Sequence, residues 1–310
     1  MATAPGLLAG LHAFAHRDFR LFWGAQLVSL VGTWMQSVAQ SWLVLQLTPS
    51  PLLLGLVGAL QFTPVLLLSF PAGVIADRFP KRRLLLLSQG LLCVQATALA
   101  ALVWTGHVAY WHVALLAAVY GTGNALDTPA RQAFVIDLVG KDDLMNAIAL
   151  NSAMFNTARV IGPAAAGVLI DRWGLGPAFA LNALSFVPVL AALLAIRAEG
   201  APSPASRRGM GAQIAEGLRY AARTPRIVLV LGLVLAASAF FWNYNVVVPL
   251  LVRDVLRAGA HELGLLMTAL GVGAVTGALA LALRGRARPR AALLLVAAMA
   301  MGAGTLSLAG

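Results

Sequence analysis

Three places in this sequence set charged side chains where they could work on a charge or a proton. The first is "DRFPKRR", Asp77 to Arg83, with one acid and four bases in seven residues between two long apolar blocks. One acid among bases can latch onto a cationic group elsewhere, while the bases can hold acids or phosphates. The second is "GNALDTPARQ", where Asn124, Asp127 and Arg131 are spaced by three and four residues. That spacing puts them on one helix face if a helix runs through. Such an acid could exchange a proton as the arginine pairs with it or leaves. It could equally form an ordinary ion pair that finishes a helix stopped by Pro129. The third is Arg159, a lone base inside the apolar run "FNTARVIGPAAAG". An uncompensated charge at the centre of a bilayer costs from about 3 to over 10 kcal/mol, so Arg159 needs water, an acid or a substrate anion.

Other chemistries find no support. Neither lysine, Lys81 or Lys141, is followed by Ser or Thr, so no nucleotide-binding Walker sequence exists. The five histidines are scattered without metal spacing, and the single cysteine, Cys93, lies in an apolar run. No cofactor and no metal are expected, and the chain does not read as an enzyme. The formal net charge of +11 raises the question of nucleic acid. That needs a solvated basic face, and here the bases sit between apolar runs.

The elements that must position these residues belong in a bilayer. The 310 residues are 60% hydrophobic and 11% charged, with a mean hydropathy of +0.84, whereas soluble domains carry about 25% charged residues. Spanning helices need about 20 mostly apolar residues. Nine stretches qualify: 22–47, 52–76, 84–105, 108–127, 147–170, 177–196, 227–251, 262–283 and 291–310. The N-terminus has no basic region before "LLAGLHAFA", so a short interfacial helix leading into the first span fits better than a cleaved signal. With the N-terminus cytoplasmic, eighteen bases fall in inner segments and three (Arg172, Arg253, Arg257) in outer loops. That asymmetry follows the positive-inside rule and puts "DRFPKRR" at the cytoplasmic face, against anionic headgroups. A polar interval at 197–226 contains the amphipathic "AQIAEGLRYAARTP" and divides a six-helix unit, 1–196, from the incomplete 227–310. A shift of 209 residues lays Pro80-Lys81 on Pro289-Arg290 and leucines 84–86 on 293–295, the mark of a same-orientation repeat. Such a repeat implies twelve spans, of which nine are present, and a chain truncated at its C-terminal side.

The first span carries a polar stripe. Gln26, Ser29, Thr33, Gln36, Ser37 and Gln40 fall within an arc of about 100° at 100° per residue. Polar groups facing lipid are costly, so the stripe faces either a partner helix or a wet cavity. Asn151, Ser152, Asn156 and Arg159 share one broad side of the fifth span and could meet it there. "GVGAVTG" reads as a further packing face through Gly273 and Gly277.

With these residues in view, the chain resembles the major facilitator superfamily. "GVIADRFPKR" is similar to the superfamily's loop motif between helices 2 and 3: Gly73, Asp77, Arg78, Lys81 and Arg82 match in kind, and Pro80 replaces a glycine. "ARVIGPAAAG" resembles the helix-5 antiporter motif at Gly162, Pro163 and Gly167, while Ala158 and Ala166 depart from it. "ALNSAMFNTARVIGPAAAGVL" and "AFALNALSFVPV" look most like the branch of enterobactin exporters and macrolide efflux pumps. The resemblance implies an all-α integral membrane protein of the cell (inner or plasma) membrane, a secondary exporter of a small organic molecule driven by protons. An importer or uniporter of a metabolite, or a non-transporting receptor, is the alternative. It implies a gate at the Asp77 loop, leak-tight packing at Gly162 to Gly167, and a substrate cavity from Gln26, Thr33, Gln36, Gln40, Asn151, Asn156 and Arg159. Asp127 with Arg131 is the proton-coupling candidate from the residues themselves.

Overall fold

A computed structural model describes residues 11–200, 210–230, 232 and 244–283. Every regular element among them is helical. After a 3-10 turn, His12–Ala15, come α1 (Arg17–Leu47), α2 (Pro51–Arg78), α3 (Lys81–Trp104), α4 (Tyr110–Val139), α5 (Leu144–Trp173) and α6 (Leu175–Ala195). Then follow α7 (Met210–Arg223), α8 (Tyr244–Leu250) with a π-type turn over Leu251–Val255, and α9 (Ala260–Leu283). Helices dominate because backbone groups in hydrocarbon have no water to bond and must be satisfied within the segment. The connections are tight. Pro51 opens α2 where its missing N–H costs nothing, and Gly174, at φ +78°, joins α5 to α6 in a conformation that favours glycine.

By length and composition four helices (α2, α3, α5 and α6) are apolar enough to cross a membrane. Large side chains such as Leu52, Leu66, Leu67, Leu87 and Val94 point outward from α2 and α3, where a bilayer would solvate them. The polar residues of α1 point the other way: Gln26, Ser29, Gln36 and Gln40 are all buried.

The fourth helix runs longer than expected. Pro129 does not end the fourth helix, which continues twelve residues past Asp127 to Val139. A proline forgoes only its own N–H bond to the preceding turn, and packed neighbours on α2 and α3 hold α4 together across that gap. Of the stretch expected to form a short interfacial helix, residues 7–10 lie outside the described residues. The described part is the four-residue turn, in which Ala13 is fully buried and donates its N–H to Asn146 Oδ1 at 2.9 Å. Among the described residues the close approaches of α9 are at Gly264 and Gly271, and a Cβ at Gly273 or Gly277 would meet nothing within 4 Å there. The span at 291–310, residues 231 and 233–243 of the span at 227–251, Arg207, Arg208 and the bases at 284–290 lie outside the described residues.

Helix α1 packs on α5 and α6, α3 on α4 and α6, α2 on α4, and α9 on α5. Two apolar clusters close the ends of this bundle. One joins Phe19, Phe22, Leu85, Phe134, Val139 and Leu193 beneath the charged α2–α3 connection. The other, at the opposite end, joins Leu43, Leu54, Leu99, Val113 and Phe179 to Val252, Leu263 and Met267. Among the described residues, those from 244 to 283 enter this second cluster and not the first. Their anchor is backbone on backbone: a Cβ on Gly264 would stand 2.7 Å from both the Gly167 Cα and the Pro163 carbonyl oxygen. Gly162 does the same against α1, its Cβ position falling 2.5 Å from the Trp34 Cβ. Helices approach this closely only where side chains are absent.

Gly264→Leu should therefore lower the stability of the purified protein by about 1–3 kcal/mol, the ordinary cost of overpacking. Gly273→Leu, in open space, should leave the thermal midpoint in detergent unchanged. Equal midpoints for the two variants would show that the α5–α9 contact does not carry stability.

Candidate functional site

Asp127 is 1% exposed in the middle of the bundle. Its Oδ1 accepts hydrogen bonds from Ser88 Oγ at 3.0 Å and Gln89 Nε2 at 2.7 Å, both on α3. Its Oδ2 pairs with Arg131 Nε at 3.2 Å, one helical turn on, and the arginine side chain is 26% exposed. A buried carboxylate needs such partners, since its desolvation is otherwise costly. Beside it lies a cavity of about 50 Å³ bounded by Gln26, Ser29 and Thr33 of α1, Gln89 of α3, Tyr120, Asn124, Asp127 and Arg131 of α4, and Phe186 of α6. That is room for about three waters. Two atoms of its lining residues, Gln26 Nε2 and Gln89 Oε1, are buried without a hydrogen-bond partner. A donor and an acceptor left open beside a carboxylate–guanidinium pair suit a site that handles protons or polar ligands.

The rest of the α1 stripe does something different. Gln36 Oε1 accepts from Asn182 Nδ2 of α6 at 2.6 Å, and Gln36 Nε2 reaches Gln95 Oε1 of α3 at 3.5 Å. This layer joins three helices and does not line the cavity, and neither does buried Gln40. Asn151 and Asn156 are half-buried on α5, Asn156 donating back to Ser152 O, and neither reaches the Asp127 cavity. Arg159 sits apart from it, its guanidinium carbon 5.8 Å from the Trp34 ring centroid and 5.4 Å from that of Tyr244. So the seven expected cavity residues divide into Gln26 and Thr33 at Asp127, Arg159 at a separate aromatic site, and four with structural contacts or none. A larger groove of about 470 Å³ between α3 and α6, lined by Cys93, Thr97, Trp104, Leu184 and Val187, is almost wholly apolar and holds no charged group. The hydroxyl of Thr97 is committed to Cys93 O.

The charged loop also divides. Asp77, Arg78 and Arg83 are exposed, and Gly73 has open space about it. Lys81 is 6% exposed, and its Nζ lies 3.2 Å from Asp137 Oδ2 on α4. Arg82 donates from Nε to Leu193 O at 2.5 Å and from Nη2 to Leu194 O at 2.9 Å. These are carbonyls from the last turn of α6, where the helix dipole favours a cation. The backbone N–H groups of Lys81 and Arg82 bond Gly200 O and Glu199 O, both at 3.2 Å. Sequence reasoning missed the acids of this clasp: Asp137, Asp18 receiving Arg197 N and Ala198 N, and Asp143 2.8 Å from His16 Nε2. Each partner lies more than fifty residues away, so no spacing could reveal it.

If this division holds, Lys81→Ala should destabilise the protein by about 1.5–3 kcal/mol, the worth of a hydrogen bond to a charged group. Arg78→Ala should leave the thermal midpoint where it is. Equal effects would mean that the loop acts only through total charge.

Known proteins place the chain in a family. A family model described as "MFS_3: Transmembrane secretion effector" matches residues 8–309. Among curated relatives, the staphyloferrin A transporter of Staphylococcus aureus is 28% identical, over 84% of this chain and 66% of its own length. The multidrug efflux pump Tap of Mycolicibacterium fortuitum is 29% identical over 82% of this chain and 64% of its own. The enterobactin exporter EntS of Salmonella typhi is 30% identical over 85% and 63%. This chain thus spans less than two thirds of the length of these relatives. A solved peptide transporter of the POT type superposes at a TM-score of 0.45 and 15% identity, over 76% of this chain and 50% of that one, too loose to argue from. The match over nearly the whole sequence shows that the chain belongs to the MFS_3 family of transmembrane secretion effectors, and is a multi-pass membrane protein of the major facilitator superfamily.

Proposed function

We propose that this protein is a secondary transporter that exports a small organic molecule in exchange for protons, with the Asp127–Arg131 pair as the coupling element. The observation that carries this reading is a carboxylate 1% exposed inside a small polar cavity, balanced by an arginine that still reaches the surface. While Arg131 is paired, the site is neutral overall. Moving the arginine away leaves a buried carboxylate without a counter-ion, a state that a bound proton relieves. A change of access that separates the pair is then tied to proton uptake, and its reversal to release.

The distribution of contacts supports the alternating part of the cycle. Residues 244–283 hold the six-helix unit at the end opposite the charged loop, through Gly264 and the cluster around Leu263, and Gly271 continues the contact to the middle of α5. With the N-terminus cytoplasmic, this arrangement is shut on the outside, and the exposed Asp77 is free to meet the opposite half when the inside closes. The names of the relatives, two of siderophore type and one multidrug pump, favour export of small organic compounds.

The reading is tested in proteoliposomes with an imposed pH gradient, following entry and exit of fluorescein and of rhodamine 123. Asp127→Asn should reduce gradient-driven flux to background while equilibrium binding of the dye persists. Full gradient-driven flux by that variant would assign Asp127 to structure. Asp77→Asn should slow flux severalfold at unchanged protein yield, and a wild-type rate would reduce the loop to a topology signal. The direction of the gradient that drives accumulation separates export from uptake.

A further inference from the structure

Arg159 lies midway along the thirty residues of α5, the depth at which a charge is hardest to keep. All eleven acids of the chain fall among the described residues, and none lies within ion-pair distance of it. Asp127 is held by Arg131, Asp137 by Lys81, Asp143 by His16 and Asp254 by Arg253. The faces of Trp34 and Tyr244 offset part of the cost of desolvating the guanidinium. They are not hydrogen-bond acceptors of ordinary strength. Among the described residues no oxygen takes any of its five N–H donors.

We infer that Arg159, caged by Trp34 and Tyr244, is an anion-recognition site, and that the transported molecule is a planar organic anion bearing a carboxylate or ionised hydroxyl groups. The inference rests on the transporter reading above and names the substrate class it leaves open. A guanidinium presents its donors as a planar fork that matches a carboxylate or two adjacent oxyanions, and it binds them in pairs. The aromatic wall extends past the cage, because Phe155 stands edge-on to Trp34 with ring centroids 5.6 Å apart. That wall favours a ligand with a flat apolar body behind its charge. A cation of the same shape meets only repulsion from Arg159.

The cage is also built across moving parts. Trp34 comes from α1 and is pressed against α5 where Gly162 lacks a side chain. Tyr244 opens α8, and Gly271 of α9 abuts the Arg159 carbonyl, its Cβ position 3.0 Å from that oxygen. An anion bound to Arg159 therefore touches both the six-helix unit and the segment after it. Gly162 of the helix-5 motif, read as part of a leak seal, acquires a second task of setting Trp34 beside the arginine.

The test is equilibrium binding to the purified protein by fluorescence anisotropy, using fluorescein, a planar dianion at neutral pH, and rhodamine 123, a matched tricyclic cation. The wild type should bind fluorescein roughly tenfold or more tightly than rhodamine 123, the worth of one charge-assisted hydrogen bond. Arg159→Gln should lose at least that factor for fluorescein and nothing for rhodamine 123, with Arg159→Lys between. Undiminished fluorescein binding by Arg159→Gln overturns the inference. So does a wild type that prefers the cation, a result that needs no variant to fold. Fluorescein binding without gradient-driven flux would sink the transporter reading and leave the anion site standing. Flux of rhodamine 123 without fluorescein binding would do the reverse.

Discussion

The pairing of Asp127 governs how this bundle can be put together. A carboxylate in that position is tolerable only if α3 presents Ser88 and Gln89 toward it while α4 returns Arg131 one turn later. Those demands fix the register of α3 against α4, and with it the layer above, where Gln36, Gln95 and Asn182 meet from three helices. Lipid gives little driving force for one apolar helix to choose another, so directional polar contacts do the choosing. The α5–α9 contact is made differently. Gly264 against Gly167, and Gly271 against the Arg159 carbonyl, are non-directional dispersion contacts, with one long hydrogen bond from Thr268 to Val160 O at 3.4 Å beside them. Polar pins hold the six helices to each other, and smooth surfaces meet where the next segment begins.

Part of this was legible in the chain. The first six long helices and the helix Met210–Arg223 follow from apolar runs and the charges between them, and the three-and-four spacing of Asn124, Asp127 and Arg131 places the ion pair on one face. The polar stripe of α1 told which face would be buried, because hydrocarbon excludes amides. It could not tell that Gln26 and Thr33 border a cavity while Gln36 is pinned to Asn182, since that depends on what α3 and α6 bring opposite each turn. Pro129 misled because a proline's local penalty is constant while the support of its neighbours is not. Two glycines four apart, such as Gly273 and Gly277, say that a helix can be approached closely and never by what, and nothing in the pattern of α9 marked Gly264 and Gly271, the two approached by α5. Arg159 was conspicuous in the sequence as a charge without an answer, and Tyr244, eighty-five positions away, was invisible as half of it.

The α2–α3 loop carries four bases, but they do not belong to one electrostatic population. Lys81 and Arg82 are spent inward, on Asp137 and on the closing carbonyls of α6, Lys81 buried and Arg82 partly so. Arg78 and Arg83 are exposed, in a medium where the Debye length falls to about 8 Å at physiological ionic strength. Salt therefore acts mainly on half of the loop's positive charge. As ionic strength rises, the interactions of the two outer arginines with charges beyond the protein are screened, while the clasp on α4 and α6 changes less. The loop can loosen from its surroundings without loosening from its own protein.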